Sequence, residues 1–175
     1  MNKMLLQGLY PSFMVKDAYS IEYEKLYRQG TRGILFDIDN TLVKHGAPAD
    51  ERAKCLFSKL QSLGYQYCFL SNNKEERVKS FCEQVGGTYI FHAGKPSVKG
   101  YEQGMLQMGT DKESTVFVGD QLFTDIWGAN RAGLVSFLVE PIDKKEEIQI
   151  VLKRYLERFV MWLWRHSGKI SDERE

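Results

Sequence analysis

The sequence predicts an α/β fold, in which five parallel strands form a doubly wound (Rossmann-like) sheet with helices on both faces. Short apolar runs typical of buried strands alternate along the chain with stretches of helical periodicity. Capping residues and glycines also fall where helices begin and end. Right-handed crossovers between parallel strands then place helices on both faces of the sheet.

The elements follow one another in a regular order. The predicted strands cover residues 33–38, 65–70, 88–91, 115–118 and 135–139. The predicted helices cover residues 50–64, 74–85, 97–108 and 124–132. Gly64, Gly86 and Gly133 each follow a helical stretch, as C-terminal caps do.

The 175 residues indicate a single domain with three regions. Residues 1–30 form an N-terminal extension with a helix at 17–29. Residues 31–142 form the core, and residues 143–175 form a C-terminal amphipathic helix, predicted over 144–166, and a tail. No segment is inserted between the predicted elements of the core, so no cap domain is expected.

Composition excludes several classes of protein. The formal net charge of +1 gives no argument for nucleic acid, and we expect no nucleic-acid partner. No window reaches the roughly 20 apolar residues of a membrane-spanning helix, and the first residues make a poor signal peptide. The three cysteines are widely spaced, which is typical of the reducing cytoplasm.

The strongest motif is the segment DIDNT, which follows the first predicted strand. Asp37 and Asp39 end a buried strand, where a carboxylate has little packing role. One carboxylate can attack phosphorus, while the other gives a proton to the leaving oxygen and later takes one from water. A polar turn after a strand is the alternative interpretation. The pattern makes Asp37 and Asp39 catalytic candidates.

A second acidic motif, VGDQLFTD, follows the fourth predicted strand. A phosphate dianion and a carboxylate nucleophile repel each other, and Mg2+ can bridge both anions. Asp37 and Asp120 are the expected carboxylate ligands of Mg2+, with the backbone carbonyl of Asp39 as a third. Asp125 supports the site by holding a coordinated water or orienting Lys95; a helix N-terminal acid is the alternative.

Two smaller motifs supply groups that can hold a phosphoryl group. Ser71 and Asn72 follow the second strand, where a hydroxyl and backbone N–H groups can bind its oxygens. Lys95 precedes a helix and can neutralise both the nucleophile and the transferred group. The predicted phosphate-binding residues are Thr41, Ser71, Asn72 and Lys95, and Lys95 is also counted as catalytic. For Ser71 and Asn72 the alternative is an ordinary turn, and for Lys95 it is a solvated loop cation.

The strings FDIDNT, FLSNN, GKPS and VGDQLFTD, in this order, resemble the signature of the haloacid dehalogenase (HAD) superfamily over residues 31–140. The resemblance implies that Asp37 is the nucleophile, Asp39 the acid/base, Ser71 and Lys95 phosphoryl binders, and Asp120 a magnesium ligand. The second aspartate favours a phosphatase over a dehalogenase. The implied activity is Mg2+-dependent hydrolysis of a phosphomonoester through an aspartyl-phosphate.

The whole chain is similar to the small bacterial YqeG-type proteins of HAD subfamily IIIA, which are related to mitochondrial phosphatidylglycerophosphate phosphatases. An open site without a cap favours bulky substrates, such as a lipid headgroup, a protein or a nucleic acid. Phosphatidylglycerophosphate is therefore one candidate substrate. Nucleotides, sugars and phosphoproteins remain open, as does a non-catalytic binding or scaffold protein.

The tail bears on the lipid hypothesis. From Ile148 onward apolar residues recur at helical spacing, with tryptophans beside basic residues. Such a helix suits the surface of an anionic membrane, which would make the protein cytoplasmic with peripheral contact at the inner face. A helix packed on the sheet or on a partner subunit is the alternative. The sequence predicts no oligomeric state.

Overall fold

Six parallel strands form one sheet in the order β1-β6-β5-β2-β3-β4. A computed structural model describes residues 8–143 and 156–162. The strands are β1 (Phe13–Val15), β2 (Gly33–Phe36), β3 (Gln66–Leu70), β4 (Thr88–Ile90), β5 (Thr115–Gly119) and β6 (Val135–Val139). The predicted α/β class with a parallel sheet is confirmed.

Helices connect the strands at the predicted places. They are α1 (Tyr23–Arg28), α2 (Glu51–Leu63), α3 (Glu75–Val85), α4 (Val98–Met108) and α5 (Trp127–Arg131). Helix α2 begins because the Asp50 carboxylate accepts the Ala53 N–H at 2.8 Å. It ends at Gly64, whose φ of 88° is left-handed.

The predicted count of five strands is wrong by one, because β1 also belongs to the sheet. It pairs in parallel with β6, with Phe13 opposite Phe137, and the two rings stack with centroids 5.0 Å apart. This edge strand has three residues, and its alternate positions are only half buried. A run this short, next to Pro11, carries no periodicity that a sequence can show.

Two predicted helices differ in the structure. Residues 17–29 hold a 3₁₀ turn at Ala18–Ser20 and the short helix α1 rather than one helix. Residues 124–132 begin earlier, as a π-helical turn at Leu122–Ile126 that runs into α5. Such π turns often occur at functional sites, and this one carries Asp125.

Helices cover both faces of the sheet. On β2, Ile34 and Phe36 point to one face and pack into the core under α2 and α3, which includes Phe57 and Phe81. Leu35 points to the other face and packs with Tyr101 of α4. Since successive side chains of a strand alternate in direction, one buried strand serves two cores.

The two central strands are β2 and β5, with Gly33 opposite Thr115. From β2 the chain winds outward through β3 and β4, and from β5 it winds the other way through β6. The carboxyl ends of β2 and β5 are therefore the topological switch point, where ligands bind in such sheets. Within residues 8–143 no inserted domain covers this edge.

The predicted C-terminal helix lies largely outside the described residues, but residues 156–162 are helical. One side packs on the π turn: Glu157 accepts the Leu122 N–H at 2.9 Å, and Val160 packs with Leu122 and Ile126. The other side exposes Leu156, Phe159 and Trp162. Among the described residues, no helix has the length and apolarity needed to cross a membrane.

Candidate active site

Asp37, Lys95 and Asp125 form the buried centre of the site. The Lys95 ammonium lies 2.6 Å from Asp37 Oδ1 and 2.7 Å from Asp125 Oδ1. The side chains are 3%, 10% and 1% exposed for Lys95, Asp37 and Asp125. The structure therefore brings the three predicted side chains into contact, although they are far apart in the sequence.

Asp37 and Asp120 are brought together by the pairing of β2 with β5. The Asp37 N–H continues the ladder to the Val118 carbonyl at 2.9 Å, so the residues after both strands lie side by side. The Thr41 hydroxyl, fully buried, lies 3.2 Å from Asp37 Oδ2 and 3.1 Å from Asp120 Oδ1. Its contacts favour the positioning of two carboxylates, and phosphate binding by Thr41 stays a prediction.

The π turn fixes Asp125. Its N–H donates to the Gln121 carbonyl at 2.9 Å, and its Oδ2 accepts the Gln121 N–H at 3.0 Å. Oδ1 is left to face Lys95. A Cβ at Gly119 would lie 2.7 Å from the Asp125 carboxylate, so the end of β5 needs glycine for this close approach.

The same residues fit a divalent cation. Asp37, Asp120 and Asp125 each offer a carboxylate oxygen, and these oxygens lie within 4.8 Å of one another. Among the described residues, Lys95 is the one buried cation, so three negative charges face one positive charge. The formal surplus of two negative charges and the hard oxygen donors match Mg2+.

Burial raises the pKa of the Asp37 carboxyl to about 6, with a further contribution from Asp125, while Lys95 opposes the shift. For Lys95, burial lowers the pKa, but Asp125 and Asp37 together raise it above its usual value. Lys95 is therefore charged throughout the neutral range. The two shifts have different causes, because loss of solvation dominates at Asp37, whereas two neighbouring negative charges outweigh it at Lys95.

Asp39 is held apart from this centre by four N–H donors. Its Oδ1 accepts Arg77 Nε at 3.2 Å, Arg77 Nη2 at 2.9 Å and the Gly46 N–H at 2.8 Å, and its Oδ2 accepts Asn73 Nδ2 at 3.3 Å. Burial alone would raise the pKa of Asp39, but the Arg77 hydrogen bonds and the other donors bring it below its usual value. The resting carboxylate is ionised.

Ser71 and Asn72 lie beside Lys95. The Asn72 side chain accepts the Lys95 N–H at 2.8 Å and donates to the Lys95 carbonyl at 3.1 Å. It therefore fixes the backbone from which the ammonium projects. Ser71, which is buried, accepts the Asn73 N–H at 3.1 Å. Direct phosphate contacts by Ser71 and Asn72 stay predictions.

Sequence reasoning missed the partners of Asp39. Arg77 lies among several charged residues in the first turns of α3, where a solvated cation is the usual interpretation. Asn73 and Gly46 are residue types common in turns. No signal in a single sequence couples them to Asp39, because the contacts span 38, 34 and 7 residues.

Buried carboxylates and a lysine lie at the switch point of this doubly wound sheet. Such a site is typical of an α/β enzyme whose active site uses carboxylates. Residues 45–133 match the haloacid dehalogenase-like hydrolase family. The chain belongs to this family, which confirms the predicted resemblance.

Two relatives match nearly the whole chain. "Probable phosphatase YqeG" of Bacillus subtilis is 35% identical over 171 residues, which cover 97% of this chain and 99% of that protein. Phosphatidylglycerophosphate phosphatase 1, chloroplastic/mitochondrial, of Arabidopsis thaliana is 30% identical over 179 residues. That match covers 93% of this chain but 50% of the plant protein.

Solved structures share the fold. An uncharacterized protein from Listeria monocytogenes serotype 4b has a TM-score of 0.52 and 20% identity, over 66% of this chain and 85% of that one. The cobalt-bound deoxy-D-mannose-octulosonate 8-phosphate phosphatase of Haemophilus influenzae has a TM-score of 0.50 and 14% identity, over 79% and 90%. At these identities the likeness concerns the fold alone.

Proposed function

We propose that this hydrolase is a Mg2+-dependent phosphatase that transfers the phosphoryl group of a monoester to Asp37. The observation that carries the proposal is the buried cluster of three carboxylates and one lysine, in which Asp37 directly follows β2, one of the two central strands. Burying such a cluster costs folding free energy, which favours a functional role for it.

Asp37, Asp120 and Asp125 supply the candidate side-chain ligands of Mg2+, and the Asp39 carbonyl is a further candidate. The bound ion supplies positive charge that offsets the repulsion between the nucleophile and the phosphate. Lys95 supplies a second, permanent positive charge at Asp37. Thr41 and Asn72 position the carboxylates and the lysine, respectively.

In the first half-reaction a carboxylate oxygen of Asp37 bonds to phosphorus and the bond from phosphorus to the leaving oxygen breaks. Asp39 gives its proton to that oxygen. Because the resting Asp39 is ionised, it takes up this proton from solvent as the phosphate dianion approaches, since the dianion disfavours a second negative charge nearby. In the second half-reaction water attacks phosphorus, Asp39 takes its proton, and Asp37 is released with inorganic phosphate.

Phosphatidylglycerophosphate is the substrate we favour. The plant relative bears this activity in its name. Within residues 8–143 no inserted domain covers the edge of the sheet where the site lies, and Leu156, Phe159 and Trp162 form an exposed apolar face on the C-terminal helix. Apolar residues of this kind, beside Arg158, suit peripheral contact with the inner face of an anionic membrane. Nucleotides, sugars and phosphoproteins are the competing substrates.

Hydrolysis of p-nitrophenyl phosphate tests the chemistry. We expect turnover with Mg2+, loss of turnover in EDTA, and loss of at least a thousandfold in Asp37→Asn, with a beryllofluoride adduct on Asp37 of the wild type. Asp111→Asn, an exposed turn residue, is the matched control. A fully active Asp37→Asn enzyme would overturn the mechanism, and an inert wild type would favour the scaffold alternative.

A substrate series tests the lipid assignment. Phosphatidylglycerophosphate in mixed micelles is compared with nucleotide, sugar and phosphopeptide monoesters, and binding to anionic liposomes is measured for the wild type and Phe159→Ser. We expect the lipid to have the highest kcat/KM and Phe159→Ser to weaken liposome binding. Absence of both lipid activity and liposome binding would remove the lipid hypothesis.

A further inference from the structure

In the proposed reaction, the groups that hold Asp39 lie beside the leaving group. In the proposed reaction the Asp39 carboxyl touches the leaving oxygen, since it protonates that oxygen. Whatever contacts the same carboxyl lies within a few ångströms of the alcohol that departs. Arg77, Asn73 and the Gly46 backbone make these contacts.

The segments that hold Asp39 carry three basic residues, which are Arg77, Lys74 and Lys44. The Arg77 side chain is 15% exposed, and two of its five N–H bonds are used on Asp39. Lys74 follows Asn73 directly, Lys44 lies two residues before Gly46, and both are exposed. Two backbone segments that position Asp39 therefore also carry a lysine each.

We infer that Arg77, with Lys74 and Lys44, forms a subsite for a second anionic group carried by the leaving alcohol. Arg77 can donate to such a group through the N–H bonds that Asp39 leaves free, because a guanidinium fork matches carboxylate and phosphate oxygens. The lysines add attraction without a fixed geometry. The subsite rests on the proposed phosphatase activity and defines a substrate class, which is a phosphomonoester whose alcohol bears a negative charge.

A phosphodiester a few atoms from the monoester has this chemistry, and so does a carboxylate on a small metabolite. Two pairs of substrates separate the sources. Dihexanoyl phosphatidylglycerophosphate carries the second anion, and dihexanoyl phosphatidic acid, with the same acyl chains, lacks it. The soluble pair is 3-phosphoglycerate and glycerol 3-phosphate. For each pair the ratio of the two kcat/KM values is measured, and p-nitrophenyl phosphate reports basal chemistry.

The decisive variant is Lys44→Gln combined with Lys74→Gln, which leaves every contact of Asp39 in place. We expect basal turnover to be unchanged and the ratio for at least one pair to fall about tenfold, at about threefold for each exposed ion pair. The fall should shrink in high salt, because salt screens exposed charges. Lys79→Gln combined with Lys112→Gln, which also removes two exposed lysines paired with glutamates, is the charge-matched control.

Arg77→Gln is a second test, read through the same ratios because the loss of the Asp39 contacts also lowers basal turnover. If the kcat/KM ratio falls for the lipid pair alone, the second anion belongs to a lipid headgroup. If the ratio falls for the soluble pair, the second anion belongs to a free metabolite. Both outcomes support the subsite. Unchanged ratios in the double lysine variant, with basal activity intact, overturn the subsite alone. A wild type that does not hydrolyse p-nitrophenyl phosphate overturns the proposed function and the subsite with it.

Discussion

Replacing Lys95 with methionine removes the charge that two buried carboxylates share. The methionine keeps most of the apolar stem, so the change concerns the ammonium contacts with Asp37 and Asp125 at 2.6 and 2.7 Å. Breaking a buried ion pair by removing one partner costs about 3–5 kcal/mol, since a charge is left buried without compensation. For a protein of this size that loss lowers Tm by about 6–20 °C.

Thermal and urea unfolding in EDTA measure the effect without reference to catalysis. Adding Asp125→Asn to Lys95→Met removes one of the two stranded charges, and we expect the double variant to recover at least half of the lost free energy of unfolding. Lys99→Met, an exposed lysine of α4, is the control and should stay within about 0.5 kcal/mol of the wild type.

The pH dependence gives a further check. Because Asp125 and Asp37 outweigh burial and raise the pKa of Lys95, the contribution of its charge is fully present at neutral pH and is lost only in strong alkali. In Lys95→Met the deficit should shrink as the pH falls, since protonation removes the stranded negative charges. A loss below about 1 kcal/mol, or a double variant no more stable than the single one, would refute the shared-charge account.

Three further outcomes are expected. Because the pKa of Asp37 is raised to about 6, protons should compete with Mg2+ below that pH, and calorimetry should show its affinity falling about tenfold per pH unit; a flat profile from pH 7 to 5 contradicts this. Asn72→Ala should lower kcat/KM by about tenfold to thirtyfold, because two hydrogen bonds to the Lys95 backbone are worth about 1 kcal/mol each; Mg2+ affinity is the control and should not change. Gly119→Ala should lower stability by about 1–3 kcal/mol through the clash with Asp125, and an unchanged Tm would rule out the tight approach.

The sequence was informative where local rules decide the structure. An apolar run predicts strand β6, and Asp50 and Gly64 mark the two ends of helix α2. Both elements lie where predicted, because periodicity and capping depend on near neighbours. The meeting of Asp37 and Asp120 was also predictable, since the carboxyl ends of adjacent parallel strands share one edge. These inferences need no knowledge of side-chain contacts.

Elements decided by distant contacts could not be predicted in this way. Strand β1 exists because β6 offers an edge to pair with, not because of its own three residues. The role of Arg77 depends on α3 placing its third residue against Asp39, which lies 38 positions earlier in the loop after β2. The π turn was missed for a different reason. It depends on a local bond, in which Asp125 accepts the Gln121 N–H, and no helical pattern reveals that bond.

Asp125 explains how the site can hold a lysine against Asp37, the proposed nucleophile, without disabling it. An ammonium paired with Asp37 alone would lower the pKa of that carboxyl and weaken it as a nucleophile. Asp125 draws the same ammonium to itself and adds a like charge, and both effects oppose the pull of Lys95 on Asp37. The lysine thus stays charged, as the proposed reaction requires for attracting the phosphate, while Asp37 keeps the higher pKa that burial gives it.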